Sequence, residues 1–146
     1  MRPRTIAVMA IALIISLGYY KYQQWQQHSA IQTALGYGRL AQIPNKAADV
    51  QVDTEGSIFS RTFWLCFRAD KATIEKWVAQ SSSLSKQTPT VLPTADATVG
   101  AAPIWFSPQY IGRGIKFDIP SNGEQLYGTV WIDYASGIVY IKTSHS

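Results

Sequence analysis

This chain of 146 residues has one cysteine and only two histidines, so thiolate and imidazole chemistry have few side chains to draw on. A lone Cys66 closes no internal disulfide, so the folded part must be held by its core. It stands between Leu65 and Phe67 in a strand-like run and reads as a buried structural thiol. Its position far downstream also excludes lipid attachment near the amino terminus. His28 has no Cys, Asp or Glu nearby and reads as a solvated side chain, while His145 is next to the last residue; no histidine-centred acid/base pair is expected.

The signatures GxSxG, HExxH, CxxC, the P-loop and the glycine-rich dinucleotide turn are all missing, and Gly112-Arg113-Gly114 is too short to replace one. Asp118, Glu124 and Asp133 fall near strand ends and turns, where carboxylates usually bond local backbone, and nothing selects a pair of them for glycoside hydrolysis. The expectation is a non-enzyme with no catalytic residue, no metal and no cofactor.

Charge is sparse too, with 13 Lys and Arg against 9 Asp and Glu for a net +4. Arg2, Arg4 and Lys21 supply three of the positive charges, which leaves the part after Ala30 close to neutral. A nucleic-acid binder would carry a basic stripe on its folded domain, so no nucleic-acid partner is expected.

What the chain does have is one long apolar run, Thr5 to Tyr20, with Arg2 and Arg4 before it and no charge inside it. Such a run is a membrane-spanning helix or the core of a secretory signal, with a buried core helix as a more remote reading. Ser16-Leu17-Gly18 offers a small-x-small cleavage pattern, but directly behind the apolar run, without the usual polar spacer. Retention as a signal-anchor is the preferred reading. Lys21 can snorkel, and Tyr19, Tyr20, Tyr22 and Trp25 gather at the exit end as a membrane-interface belt. More basic charge before the run than after it keeps the amino terminus cytoplasmic, which in a bacterium puts a single-pass protein in the inner membrane with its carboxy-terminal bulk in the periplasm or outside.

The reading divides the chain into a cytoplasmic tail (1–4), a transmembrane helix (5–22), a helical stalk (23–43) and one α+β domain (44–146). Trp25, His28, Ile31, Gln32 and Leu35 recur at helical spacing, and Gly36 and Gly38 end the helix. Within the domain, Ser57 to Arg68 alternates as a strand whose later part is apolar on both faces. Asp70 caps a helix running to about Ser82. Residues 83–103, rich in Ser, Thr, Ala and Pro, make a long flexible loop.

Three strands follow, over 114–119, 126–134 and 138–143, joined at Ser121-Asn122-Gly123 and Ala135-Ser136-Gly137. The sum is a mainly antiparallel sheet of four strands, in chain order β-α-β-β-β, with one packed helix.

The sheet's second face carries the functional question. If Leu126, Val130 and Ile132 face the helix, then Tyr127, Thr129 and Trp131 point away, and Tyr140 or Ile141 joins them according to register. Either the long loop covers this face, or its aromatics stay open for a protein partner.

Two functions are compatible with these residues. One is a membrane-anchored interaction module, an accessory or assembly subunit that docks through Tyr127, Trp131 and Tyr140. The other is an exported domain for a small ligand or cell-wall glycan, or a minor hydrolase, with Trp105 and Phe106 as the ligand platform. Trp105 and Phe106 also fit a simpler role, capping the core and pinning the loop.

Overall fold

A computed structural model describes residues 3–93 and 100–146 of the chain. Arg2 and the middle of the expected loop, 94–99, lie outside the described residues.

Helix α1 (Pro3–Gly38) runs without a break for 36 residues. It contains the one stretch among the described residues that is long and apolar enough to cross a membrane, and none of that stretch is buried. Ile6, Leu13, Ile14 and Leu17 all stand exposed. Further along, the Gln23, Gln24 and Gln26 amides donate to the Tyr19, Tyr20 and Tyr22 hydroxyls at 2.7, 2.9 and 2.7 Å, one turn apart. The last two turns are different again: Ala34 and Leu35 are sealed in the core at 0% and 1% exposure. The segment read as a stalk therefore contributes its final turns to the folded unit, and packing begins well before Pro44.

The helix stops at the expected glycines, but with an unexpected cap. Arg39, not a glycine, takes the left-handed backbone angle (φ 52°) after Gly38. The Leu40 N–H closes the end on the Leu35 carbonyl at 2.9 Å, as helix ends commonly do. The Arg39 guanidinium donates to the Pro120 carbonyl at 2.9 Å.

Six strands form the sheet, not four. These are β1 (Ala48–Gly56), β2 (Arg61–Arg68), β3 (Thr90–Leu92), β4 (Gly114–Ile119), β5 (Leu126–Asp133) and β6 (Ile138–His145). Their order is β1-β2-β6-β5-β4-β3 and every neighbouring pair is antiparallel. The two extra strands are the sheet's edges. Strand β1 is exposed along nearly its whole length, so it lacks the half-apolar alternation that marks a strand. Strand β3 has three residues between Pro89 and Pro93, a setting tolerated only at an edge, where the missing donors are not needed. Residues 57–60, expected inside a strand, are the turn between β1 and β2.

Helix α2 (Lys71–Gln80) packs on the same face of the sheet as the end of α1. Asp70 caps it as expected, accepting from the Thr73 N–H at 2.8 Å. Two hydrogen bonds from Thr73, the one from its N–H and a second from its hydroxyl at 3.0 Å, hold the Asp70 carboxyl's pKa below its ordinary value. Ile74 and Trp77 face the core, and the Trp77 Nε1–H donates to the Ala41 carbonyl at 3.0 Å. The Ser81 hydroxyl accepts from the Ala41 N–H at 2.9 Å and donates to the Trp77 carbonyl at 2.9 Å, tying the linker after α1 to the end of α2.

The main core lies between these helices and the sheet. Phe63, Leu65 and Phe67 of β2 meet Val139 and Ile141 of β6, Val130 and Ile132 of β5, and Phe117 of β4 there. Leu126 shares this face with Val130 and Ile132 by register. Gly128 sits where a Cβ would meet the Lys142 carbonyl at 2.5 Å, so the close pairing of β5 with β6 requires glycine.

Candidate functional site

The alternation of the strands sends Trp64 and Cys66 from β2, Tyr127 and Trp131 from β5, and Tyr140 from β6 to the face away from the helices. Register places Trp131 beside Tyr140 and Tyr140 beside Cys66, while Tyr127 pairs with Ser144 further along. Tyr140, rather than Ile141, is thus the residue of its strand that joins this face.

The open aromatic surface expected of Trp131 and Tyr140 does not form. The chain from Gly100 to Ile111 folds over them through short turns, with the Phe106 N–H bonded to the Pro103 carbonyl at 2.9 Å and the Ile111 N–H to the Pro108 carbonyl at 3.1 Å. Phe106 lies edge-on to both rings, its centroid 5.8 Å from Trp131 and 5.2 Å from Tyr140. The Ser107 and Tyr140 hydroxyls share a hydrogen bond at 3.2 Å. Trp131 is left 8% exposed and Tyr140 7%, with Phe106 at 2%. The physical reason is simple: a sheet with helices on one face must shed apolar area on the other, and the nearest apolar segment is the one that carries Phe106.

Tyr127 behaves differently. It is 39% exposed and keeps company with polar side chains rather than with this second core. Around it on the same face are Ser144 by pairing, and Thr129 and Lys142 in the neighbouring row.

The residues of the alternative platform are split as well. Phe106 is a core side chain, whereas Trp105 is half-buried and stacks its edge on Phe106 at 5.9 Å. Beside Trp105 is a cavity of about 240 Å³, lined also by Asp49, Gln51, Cys66, Arg68, Ile138 and Tyr140. Its one carboxylate, Asp49, is engaged by the Arg68 guanidinium at 3.5 Å. Cys66 Sγ points its weak donor at the Asp49 carbonyl, 3.9 Å away. Burial pushes the Cys66 thiol above its ordinary pKa, against smaller opposing effects of the Gln51 backbone and Arg68, so the sulfur stays protonated and inert at neutral pH.

Other concavities are shallow. A cleft of about 500 Å³ runs between the linker after α1 and helix α2, past Pro44, Lys46, Lys76 and Trp77. Another, of about 300 Å³, is lined by Glu55, Ser60, Thr62, Trp64 and Lys142, and the buried Trp64 Nε1–H finds no acceptor among the described residues. Among those residues, no three of His, Cys, Asp and Glu gather as metal ligands would.

The aromatic residues expected to form a membrane-interface belt lie outside the folded unit. Tyr19, Tyr20, Tyr22 and Trp25 are all exposed, with the Tyr22 and Trp25 rings stacked at 6.4 Å between centroids. Sequence reasoning missed the solvent-facing pair Ile58 and Phe59, which it placed within a strand; their hairpin is recognisable only once β1 is known to precede it. Compared with known protein families, with curated proteins and with solved structures, the chain matches none.

Proposed function

We propose that this protein is a membrane-anchored interaction module, an accessory or assembly subunit of a membrane protein complex. In this reading α1 crosses a bacterial inner membrane once, with its amino terminus in the cytoplasm and the sheet domain in the periplasm. The observation that carries the reading is the division of α1 itself. Its first half is apolar and wholly bare, while its last turns are locked into the domain core. In water such a bare surface would be costly, since each buried CH₂ is worth about 0.8 kcal/mol; in a bilayer it is the natural boundary.

Docking of a protein partner then falls to the exposed half of the second face, centred on Tyr127, because Trp131 and Tyr140 are already occupied by Phe106. Tyrosine at the edge of polar neighbours is a common interface anchor. The ligand-binding alternative draws on the cavity beside Trp105, but that volume is below the roughly 300–1,000 Å³ of typical ligand pockets, and its only carboxylate is paired with Arg68.

The test is affinity purification of the intact protein in mild detergent, with Tyr127→Ser as the comparison. A partner that co-purifies with the parent chain and is lost from a Tyr127→Ser variant of unchanged circular dichroism is the expected result. If the same partner binds both equally, the Tyr127 surface is not the dock; if a protease added to spheroplasts leaves the domain intact, the topology is wrong.

A further inference from the structure

The turn between β1 and β2 holds two large apolar side chains in the open: Ile58 is 84% and Phe59 79% exposed. They are not loosely held. The Ser57 hydroxyl accepts from the Phe59 and Ser60 N–H groups at 3.1 and 3.4 Å, and the Ser57 N–H donates to the Ser60 carbonyl at 2.7 Å. Gly56, at a φ of 126° and with the Ser60 backbone crowding the place of a Cβ, supplies the bend that only glycine makes easily. The chain spends local hydrogen bonds on keeping Ile58 and Phe59 at the apex.

Where that apex lies decides its use. Helix α1 packs against β1, β2, β6 and β5, and just past its end Arg39 bonds the Pro120 carbonyl between β4 and β5. The hairpin end, through Thr54, Glu55, Gly56, Arg61 and Phe63, encloses a cavity of about 300 Å³ together with Gln26, Ser29, Ala30 and Thr33. Gln26 adjoins Trp25 and is one turn from Tyr22, the aromatic residues at the exit of the apolar run. The turn 57–60 extends past the last paired residues, Gly56 and Arg61, beside this same part of the helix.

We infer that the Ile58–Phe59 apex is a second membrane contact, entering the interfacial layer of the bilayer that α1 crosses. The inference rests on the proposed anchoring of α1. Three features fit a lipid surface. The apex Ser57-Ile58-Phe59-Ser60 carries no charge; the hydroxyls that flank the two apolar residues suit the headgroup level; and Arg61, next in the chain, is exposed and can reach lipid phosphate. The cavity shared by the base of the hairpin and Gln26, next in the chain to Trp25, puts the apex near the exit of the apolar run and favours lipid over a protein occupant. Two attachment points, one on the helix and one on the sheet, would fix the rotation of the domain about the α1 axis.

The test uses the full chain with Cys66→Ala, carrying a single spin label at Ile58→Cys, in vesicles of phosphatidylcholine and phosphatidylglycerol at high lipid-to-protein ratio. Collision with lipid-soluble oxygen is compared with collision with a water-soluble nickel chelate. Labels at Ile14→Cys, within the apolar run, and at Ser136→Cys, in the turn between β5 and β6 at the other end of those strands, give the lipid and water references. The expected result is an oxygen-to-nickel ratio at 58 several-fold above that at 136. A ratio at 58 equal to that at 136, with 14 still in lipid, overturns the second contact and leaves the anchor standing. Water-like values at 14 overturn the anchor, and the second contact with it. Protection at 58 that vanishes as protein is diluted in lipid identifies a second copy of the chain as the occupant and also overturns the proposal.

Discussion

Thr143 of the last strand donates its hydroxyl proton to the carbonyl of Ala34 in the first helix, 3.0 Å away and 109 residues earlier in the chain. Both residues are fully buried. This bond is the point at which the apolar helix becomes part of the domain, and Thr143→Val keeps the shape while deleting the donor. The expected cost is about 1 kcal/mol, the usual net worth of such a bond. Urea unfolding in detergent micelles, read at the tryptophans, measures it; an unchanged midpoint would show that the methyl group alone makes the join.

The same junction predicts where the chain can be cut. A fragment starting at Pro44 loses Ala34, Leu35 and Leu40 from the core and exposes the apolar floor they cover. It is expected to be unfolded or aggregated, whereas a fragment starting at Ser29 is expected to be soluble and to show a sharp thermal transition. In the full chain, Leu35→Ala should cost about 2–5 kcal/mol, in the range for a sealed leucine. Equal stability of the two fragments would remove α1 from the core.

Phe106 is the keystone of the second face, touching Trp105, Trp131 and Tyr140 at once. Phe106→Ala should destabilise the fold by about 3–5 kcal/mol and shift tryptophan emission to the red as the cover over Trp131 loosens. Trp131→Ser should likewise lower stability rather than act on binding alone. A Trp131→Ser protein that is as stable as the parent would reopen this face as a docking surface.

The Cys66 thiol offers a chemical probe of the same face. Its pKa is raised by burial, so in the folded protein little thiolate exists at neutral pH and a disulfide reagent should react slowly. Unfolding restores the ordinary pKa, and the reaction should accelerate sharply through the denaturant transition. Because the thiolate is disfavoured in the fold, raising the pH past the unfolded thiol's pKa should also erode stability. Fast labelling under native conditions would mean that the cover opens readily.

The parts of the fold that the sequence made legible are those where one interaction dominates. Asp70 reads as a cap because a carboxylate before a helix has few other uses, and the pattern of β5 and β6 is visible because one face is sealed and the other partly wet. The edges were illegible for the converse reason. Strand β1, with Asp49, Asp53 and Glu55 along it, is exposed on both sides, and β3 is held by pairing with β4 rather than by a hydrophobic repeat. Asn122-Gly123 also misleads: Asn122 Oδ1 accepts from the Glu124 and Leu126 N–H groups, both at 3.0 Å, so the side chain organises a wider loop and the positive φ falls on Gln125. As for the candidate site, alternation identifies which aromatics share a face. It does not identify what lies on top of them, since Phe106 reaches Trp131 and Tyr140 across a segment with no periodicity.

A continuous helix of 36 residues, about 54 Å at 1.5 Å per residue, works as a lever with no joint. If its apolar half tilts within a bilayer, the sheet clamped to its other end must swing by the same angle, and the far edge of the domain travels furthest. A load applied to the domain is returned to the apolar half by the same route, so that orientation, and not merely attachment, passes between the two.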